Sequence, residues 1–294
     1  MSRRIARVFP AKTAYTPDDD MVFFEGPGLF PPDVDEAMVS CTFTWDRERC
    51  EQLAASWDKV CPTKLGGPAY NDPAREFIPG MFLRKGMIMT SRGCPHRCKF
   101  CFVPRREGGI REMPICEGNR LLDSNILGCS EGHIRAVFDM LKRQKGQIGL
   151  HGGFDTRLIK PWHIDLLADI RRKTERLYIA FDSDSKSGRE RLTEAISLIR
   201  DGAGLSLAQL RCFVLIGYGS DTPAAAEARC EWVLKTGAVP FASFYRGPDD
   251  ISGKKPREWQ AVSSRWAWLP GIFGRLKREG RGEEIKALNN RSKA

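Results

Sequence analysis

Short apolar segments alternate with longer helical patterns along most of this chain, and that alternation constrains the fold more than any other feature. The candidate strands recur about every 25–30 residues, and a helical pattern separates most of them. Strands are predicted at 86–90, 119–123, 147–151, 177–181, 211–217 and 239–245, and helices at 133–141, 162–171, 189–199 and 224–235. Strands that alternate with helices in this way predict an α/β fold with a parallel sheet.

Three cysteines lie within eight residues of one segment. Cys94, Cys98 and Cys101 have the spacing C-x3-C-x2-C, so a tight loop can direct their thiolates toward one metal centre. Three thiolates are too few for an ordinary four-cysteine cluster, and they leave one iron without a protein ligand. Zinc needs a fourth N or S ligand, for which His96, between two of the cysteines, is awkwardly placed. The spacing favours an iron–sulfur cluster with one open iron; structural zinc and an ordinary iron–sulfur protein are the alternatives.

The residues around these cysteines carry a family resemblance. With Phe100 directly before the last cysteine, the motif resembles the signature of the radical S-adenosylmethionine (SAM) superfamily. The neighbouring Arg92-Gly93 and Phe102-Val103-Pro104 are similar to the subgroup that includes cobalamin-associated and methylthiotransferase-like members. The resemblance implies a [4Fe–4S] cluster on the three cysteines, SAM on its open iron, and reductive cleavage of SAM to a 5′-deoxyadenosyl radical. It also implies a partial (β/α)6 TIM-type barrel, with the cluster loop after the first strand.

The resemblance also implies SAM-binding groups at the carboxyl ends of the barrel strands, where barrel enzymes carry their sites. Asp123-Ser124-Asn125 follows the second strand and resembles the segment that hydrogen-bonds the SAM amino group; a helix N-cap is the alternative. Asp182-Ser183 ends the fourth strand and is similar to the Glu-Ser segment that holds the ribose and methionine parts; a solvated turn is the alternative. Ile216-Gly217 ends the fifth strand and resembles the segment whose backbone lies against adenine.

Some residues depart from the family's pattern or allow a second alignment. Gly219 stands where proline is usual, and Asp221 where glutamate is usual. Gly152-Gly153, after the third strand, offers a rival match to the segment that binds the SAM amino group, but this alignment leaves only five strands. In either alignment, Arg157 is a candidate partner for a carboxylate of SAM or of the substrate, because a guanidinium can pair with a carboxylate through two hydrogen bonds.

A small unit is predicted at 1–85, before the barrel at 86–246. A strand at 37–44, a helix at 47–57 and a strand at 63–67 form a βαβ pattern. The unit resembles the last part of a cobalamin-binding Rossmann domain, but it is too short for the whole domain. The four histidines all lie beyond it, and no Asp-x-His-x-x-Gly motif is present. We therefore expect a truncated Rossmann-like unit without cobalamin.

Positive charge is concentrated near the end of the chain, where 247–294 is predicted as a basic extension. The net charge is +10, and residues 251–294 carry 11 Lys and Arg against 4 Glu, a difference of +7. Basic residues also flank the cysteines in sequence, among them Arg97, Lys99 and Arg105. These charges favour an anionic substrate, with a nucleotide or nucleic-acid base first and a small phosphorylated or carboxylated metabolite second. A solvated, partly helical tail is an equal interpretation of the extension.

The remaining cysteines and the apolar content bear on the cellular setting. No apolar run is long enough to span a bilayer, and the first residues lack the apolar core of a secretion signal. We therefore expect a cytoplasmic protein without membrane contact, whose ten cysteines are ligands or reduced thiols. Cys116 and Cys129 are candidates for a second cluster or for hydrogen-atom donation, although their spacing matches no cluster motif.

Together these features predict an enzyme of the radical SAM class. It would cleave SAM reductively and abstract hydrogen from an anionic substrate, using electrons from a donor such as flavodoxin or ferredoxin. No individual side chain is predicted to act as a catalytic acid, base or nucleophile. The alternative is a nucleic-acid-binding iron–sulfur protein whose cluster is structural or redox-sensing.

Overall fold

The structure is a computed structural model that describes residues 3–72, 76–247 and 250–290. The chain divides into two compact units. The first comprises Met1–Met89, Gly93–Gly109 and Arg246–Lys254, and the second Thr90–Arg92, Ile110–Tyr245 and Lys255–Ala294. Each unit contains a parallel sheet with helices, which confirms the predicted α/β class.

A four-stranded parallel sheet in the order β2-β1-β3-β4 lies at the centre of the first unit. Its strands are β1 (Ile5–Val8), β2 (Val22–Phe23), β3 (Glu36–Ser40) and β4 (Thr63–Gly66). Helix α1 (Arg47–Trp57) connects β3 to β4 and buries Leu53 and Trp57 in the core of this unit. The predicted βαβ pattern is confirmed. Strands β1 and β2 lie outside the prediction because runs of four and two residues carry little periodic signal.

Two further elements of the first unit flank the cysteines in sequence. Strand β5 (Met87–Ile88) precedes them, within the predicted strand 86–90, and the single helical turn α2 (Val103–Arg106) follows them. Arg246, late in the chain, also belongs to this unit, and its guanidinium lies 4.6 Å from the ring centre of Trp45.

A parallel sheet in the order β12-β11-β10-β9-β8 forms the centre of the second unit. Strands that are consecutive in the chain are therefore neighbours in this sheet. Its strands are β8 (Arg120–Leu121), β9 (Ile148–Leu150), β10 (Thr174–Phe181), β11 (Leu210–Ile216) and β12 (Val239–Phe244). A short antiparallel pair, β6 (Ser91–Arg92) with β7 (Arg111–Glu112), precedes it in the chain.

Helices separate the strands of this sheet in the predicted places. They are α3 (Glu131–Arg143), α4 (Pro161–Ile170), α5 (Lys186–Ser197) and α6 (Pro223–Thr236). A π-helical turn (Leu198–Gly202) extends α5. Alternate residues of the strands are buried on one face, as Phe181 is against Trp232 of α6, with ring centres 5.1 Å apart. In β11 the residues between them, Arg211, Phe213 and Leu215, are half-buried on the opposite face.

The last described residues form helices of the second unit. They are α7 (Arg257–Trp266), α8 (Leu269–Arg278) and α9 (Gly282–Asn290). Arg200, which is 2% exposed, donates hydrogen bonds to the carbonyl oxygens of Gly237 (3.1 Å) and Leu288 (2.6 Å), and so attaches α9. Several basic residues of these helices are paired: Arg265 with Glu227 at 2.8 Å, and Arg281 with Glu231 and Glu284. Within the described ranges, no helix has the length and apolar character needed to cross a membrane.

Candidate functional site

The three clustered cysteines line one cavity of the first unit. It has a volume of about 500 Å³, within the usual range for small-ligand sites. The three thiols and Phe100 are half-buried. The cavity is lined by Cys94, Pro95, Arg97, Cys98, Lys99, Cys101, Pro104, Arg105, Gly108 and Gly109. Three cationic side chains therefore stand beside three potential thiolates, and their charges oppose those of thiolates or of a ligand carboxylate.

Two hydrogen bonds donated by backbone N–H groups close the base of the cysteine loop. The Cys94 N–H donates to the Gly108 carbonyl at 3.2 Å, and the Gly93 N–H donates to Glu107 Oε2 at 3.0 Å. Gly93 has a φ of +86°, and a Cβ built on it would lie 2.1 Å from the Gly109 carbonyl oxygen. Only glycine combines this φ with so close an approach. This backbone packing at the base of the loop explains why a glycine directly precedes the first cysteine.

The donor chemistry of the loop fits an iron–sulfur cluster, because thiolates are the usual ligands of iron in such clusters. Within residues 3–72, 76–247 and 250–290, however, no group of three His, Cys, Asp or Glu side chains is arranged to hold a metal ion. The thiols therefore share a cavity without a preformed ligand geometry. Cys94, Cys98 and Cys101 are the residues that would hold a cluster here.

Asp123, after β8, holds the segment that leads into the cysteine loop. Its side chain is buried at 1% exposure and accepts hydrogen bonds from Thr90 N (2.6 Å), Thr90 Oγ1 (2.7 Å) and Ser91 Oγ (2.7 Å). Burial raises the pKa of this carboxyl, although the same hydrogen bonds partly offset the shift. The contacts give Asp123 a positioning role in the protein itself. Sequence reasoning assigned nothing to Thr90 or Ser91, since a Thr-Ser pair carries no signal of a buried acceptor.

The helix-capping alternative for this segment is wrong. The N-cap of α3 is Ser130, whose side chain accepts from the His133 N–H at 3.3 Å, and Asn125 makes no capping hydrogen bond. Ser124 is half-buried, and Asn125, at 3% exposure, donates from Nδ2 to Asp155 Oδ2 at 3.0 Å.

Gly152 and Gly153 let the chain after β9 lie directly on the chain after β8. A Cβ on Gly152 would lie 1.8 Å from the Asp123 carbonyl oxygen, and one on Gly153 would lie 2.5 Å from that of Ser124. The Gly153 N–H also donates to the Asp123 carbonyl at 3.2 Å. The glycine pair is therefore explained by backbone packing, whichever alignment of the SAM-binding segments applies.

Polar side chains from several strands meet at the carboxyl edge of this sheet. Arg157 pairs with Asp155 through two hydrogen bonds, from Nε at 2.8 Å and from Nη2 at 2.9 Å. Asp182 follows β10. Although solvent still reaches its side chain, the surrounding protein partly desolvates the carboxyl and raises its pKa to about 6; the charge of Arg157 lowers the pKa in part, and that of Asp155 raises it further. The structure thus brings together three of the predicted residues, Asn125, Arg157 and Asp182. Asp155, which was not predicted, interacts with all three of them.

A second cavity, of about 330 Å³, lies between the loops after β10 and β11. The predicted residues Asp182 and Ser183 line it, together with Tyr218, Ser220 and Thr222 from the next loop. All five have oxygen atoms that can accept or donate hydrogen bonds to ligand hydroxyls. Asp182 and Ser183 are exposed to solvent, as a solvated turn would be. The N-cap of α5 is Ser185, whose side chain accepts from the Gly188 N–H at 3.1 Å.

The loop after β11 is organised by one buried ion pair. Asp221 accepts from the Gly217 N–H at 2.8 Å and from Arg229 Nη2 at 2.6 Å. Burial opposes ionisation of Asp221, but these hydrogen bonds hold its pKa below the ordinary value. Gly217 has a φ of +74°, and the ring of Phe244 lies 2.4 Å from the position of a Cβ there. Ile216 is fully buried, so at this strand end only backbone atoms are candidates for contact with a ligand.

The two isolated cysteines differ in their surroundings. Burial raises the pKa of Cys129 to about 11, an effect that the Ser91 hydroxyl partly offsets. Cys116 makes only a weak contact with the Pro114 carbonyl, at 3.8 Å. A thiol with so high a pKa stays protonated at neutral pH, as hydrogen-atom donation requires.

Sequence comparison does not assign the chain to a known family. No model of a known protein family matches it, and no curated protein sequence matches it. The class defined by the fold is α/β with parallel sheets. Any finer assignment of function depends on the residues described above.

Proposed function

We propose that this protein is a radical SAM enzyme. Cys94, Cys98 and Cys101 would hold a [4Fe–4S] cluster, and the groups at the carboxyl edge of the second unit's sheet would bind SAM. The substrate would be anionic, with a nucleotide or nucleic-acid base as the leading candidate. The observation that carries the proposal is a single closed loop that presents three cysteines, with no fourth among the described residues, to one cavity lined by cationic side chains.

The order of the strands supports a partial (β/α)6 barrel. Strands β8 to β12 are parallel, adjacent in chain order and separated by helices, as such a barrel requires. Strand β5 would be its first strand, because the cysteine loop follows it in sequence.

When bound, a [4Fe–4S] cluster supplies the electron that cleaves SAM into methionine and a 5′-deoxyadenosyl radical, which then takes a hydrogen atom from the substrate. The protein's own task is to bind and orient the reactants. Asp182 and Ser183 have oxygens suited to ribose hydroxyls, and Asp182 is ionised above about pH 6 and then accepts such bonds. The backbone at Gly217 would lie against adenine. Asp123 would act indirectly, by fixing Thr90 and Ser91 just before the loop.

The test is the release of 5′-deoxyadenosine by anaerobically reconstituted protein reduced with dithionite. We expect the product from the natural sequence, a fall to background in Cys98→Ala, and retention in the matched control Cys116→Ala. A substrate labelled with deuterium should transfer its label to the product. Protein that carries a full iron–sulfur cluster yet forms no 5′-deoxyadenosine would contradict the proposal. If such protein bound nucleic acid in a salt-dependent manner, it would support the alternative binding module.

A further inference from the structure

The half-buried face of the β8–β12 sheet carries a row of aromatic rings. Tyr178 of β10 stacks on Phe213 of β11 with ring centres 4.7 Å apart, and Phe213 meets Phe241 of β12 edge to face at 5.5 Å. His151, just beyond β9, contacts Tyr178 at 5.6 Å. All four side chains are half-buried, whereas the alternate residues of the same strands are fully buried on the opposite face.

Arg211 stands beside this row. Its backbone is in register with that of Tyr178, so the two side chains project from the same face of neighbouring strands. Among the described residues, Arg211 forms no ion pair, and its Nε is buried without a hydrogen-bond partner. Burial lowers the pKa of this guanidinium. Glu175 attracts this cation without pairing with it. A desolvated cation without an ion-pair partner is costly, and an oxyanion ligand would reduce that cost.

The other charges on this part of the sheet are already balanced in part. Glu175 pairs with Arg120 at 2.9 Å and with Arg176 at 3.2 Å. Arg211 is thus a single unpaired cation and not one of a row. A nucleic-acid polymer requires many cations along its backbone, whereas one guanidinium matches one oxyanion group.

We propose that this face binds a small aromatic compound carrying one oxyanion group, with Arg211 pairing with the oxyanion and Tyr178, Phe213 and Phe241 contacting the ring. Rings packed edge to face against an aromatic row gain attraction beyond that of area burial. The inference deepens the proposed function by defining its substrate class. It rests on that function only in calling the ligand a substrate, because binding requires neither cluster nor reductant.

Calorimetric titration of the full chain, without SAM or reductant, tests the proposal with two matched probe pairs. UMP against uridine varies a phosphate, and indole-3-acetate against indole-3-acetamide varies a carboxylate on an unchanged ring. We expect at least one anion to bind at least tenfold more tightly than its neutral partner. The pair that discriminates identifies the oxyanion.

Variants locate the site. Arg211→Gln should lose at least tenfold in affinity for the anion while leaving the neutral partner unchanged, and Phe213→Leu should weaken both members of the pair. The exposed Arg172→Gln is the control and should bind as the natural sequence does. Since Arg211 has no hydrogen bond to lose, Arg211→Gln should melt no lower than the parent protein. Arg211→Lys, which keeps the charge but not the planar donor pair, should bind with intermediate affinity.

Equal affinity for anion and neutral partner in both pairs, an absence of binding, or unchanged affinity in Arg211→Gln would overturn the proposal. Each of these results leaves the 5′-deoxyadenosine test unaffected. Conversely, protein that binds the anion through Arg211 but does not cleave SAM would retain this site and lose the proposed function.

Discussion

Replacing Asp123 separates a positioning role from direct contact with SAM. Asp123→Ala leaves the buried Thr90 N–H without an acceptor, which costs about 1–3 kcal/mol, and the loss of two hydroxyl hydrogen bonds adds to this. Removal of a buried carboxyl with a raised pKa subtracts from the cost. We expect a net loss of about 2–3 kcal/mol in the free energy of unfolding. At about 2–4 °C per kcal/mol, the melting temperature should fall by about 4–12 °C.

Thermal melting by circular dichroism gives the direct measurement, and Asp123→Asn serves as the graded variant. Asparagine keeps one acceptor oxygen, so about half of the loss is expected. Because burial raises the pKa of Asp123, the folded state binds its proton more tightly than the unfolded state does. The advantage of the natural sequence over Asp123→Asn should therefore shrink as the pH rises through the raised pKa. An unchanged melting temperature in Asp123→Ala, together with weakened SAM binding, would refute the positioning role and favour ligand contact.

Three further predictions concern the same sheet edge. Gly152→Ala places a methyl group 1.8 Å from a backbone oxygen and should lower the free energy of unfolding, measured by urea denaturation, by at least about 2 kcal/mol. The control Gly132→Ala meets open space and should cost nothing. Equal stability of the two variants would contradict the packing argument. Arg229→Met leaves the largely buried Asp221 without its ion-pair partner and should cost about 3 kcal/mol in the same assay. A cost below about 1 kcal/mol, as expected of a solvent-screened pair, would contradict this prediction. Asp182 has a pKa of about 6 in the folded state, above its ordinary value. The natural sequence should therefore lose stability relative to Asp182→Asn as the pH rises from about 4 to about 6. Parallel curves of stability against pH for the two proteins would disprove the pKa shift.

The secondary structure of the second unit follows closely from the sequence. The helix predicted at 224–235 is α6 (Pro223–Thr236), and the strand predicted at 211–217 is β11 (Leu210–Ile216). Strand β11 is a nearly continuous apolar run that ends at a glycine, and helix α6 is marked by the N-cap Thr222 and by Pro223 at its first position. Strands β1 and β2 could not be predicted from the sequence, because such short strands depend on partners that are distant in the chain.

The candidate site was predicted unevenly. The cysteine triplet, the acidic groups after β8 and β10 and the glycine after β11 are local patterns, so sequence alone indicates them. The partners of these groups are not local. Asp123 accepts hydrogen bonds from residues 33 and 32 positions earlier in the chain. Asp221 accepts hydrogen bonds from Arg229, which lies in the helix that follows its loop. Arg211 gives no signal in sequence, because an arginine within a strand becomes unusual only once its neighbours are known to leave it unpaired.

The attachment of α9 by Arg200 affects how the basic extension can be studied. Removal of the last helices would delete the Leu288 carbonyl that accepts from this guanidinium, and would deprive a buried cation of that hydrogen bond. A shortened protein would then lose nucleic-acid affinity simply by unfolding. Charge-reversed full-length chains, altered at exposed positions such as Lys277 and Arg278, would report on the surface alone. For the same reason, an affinity tag at the amino terminus is preferable to one that follows α9.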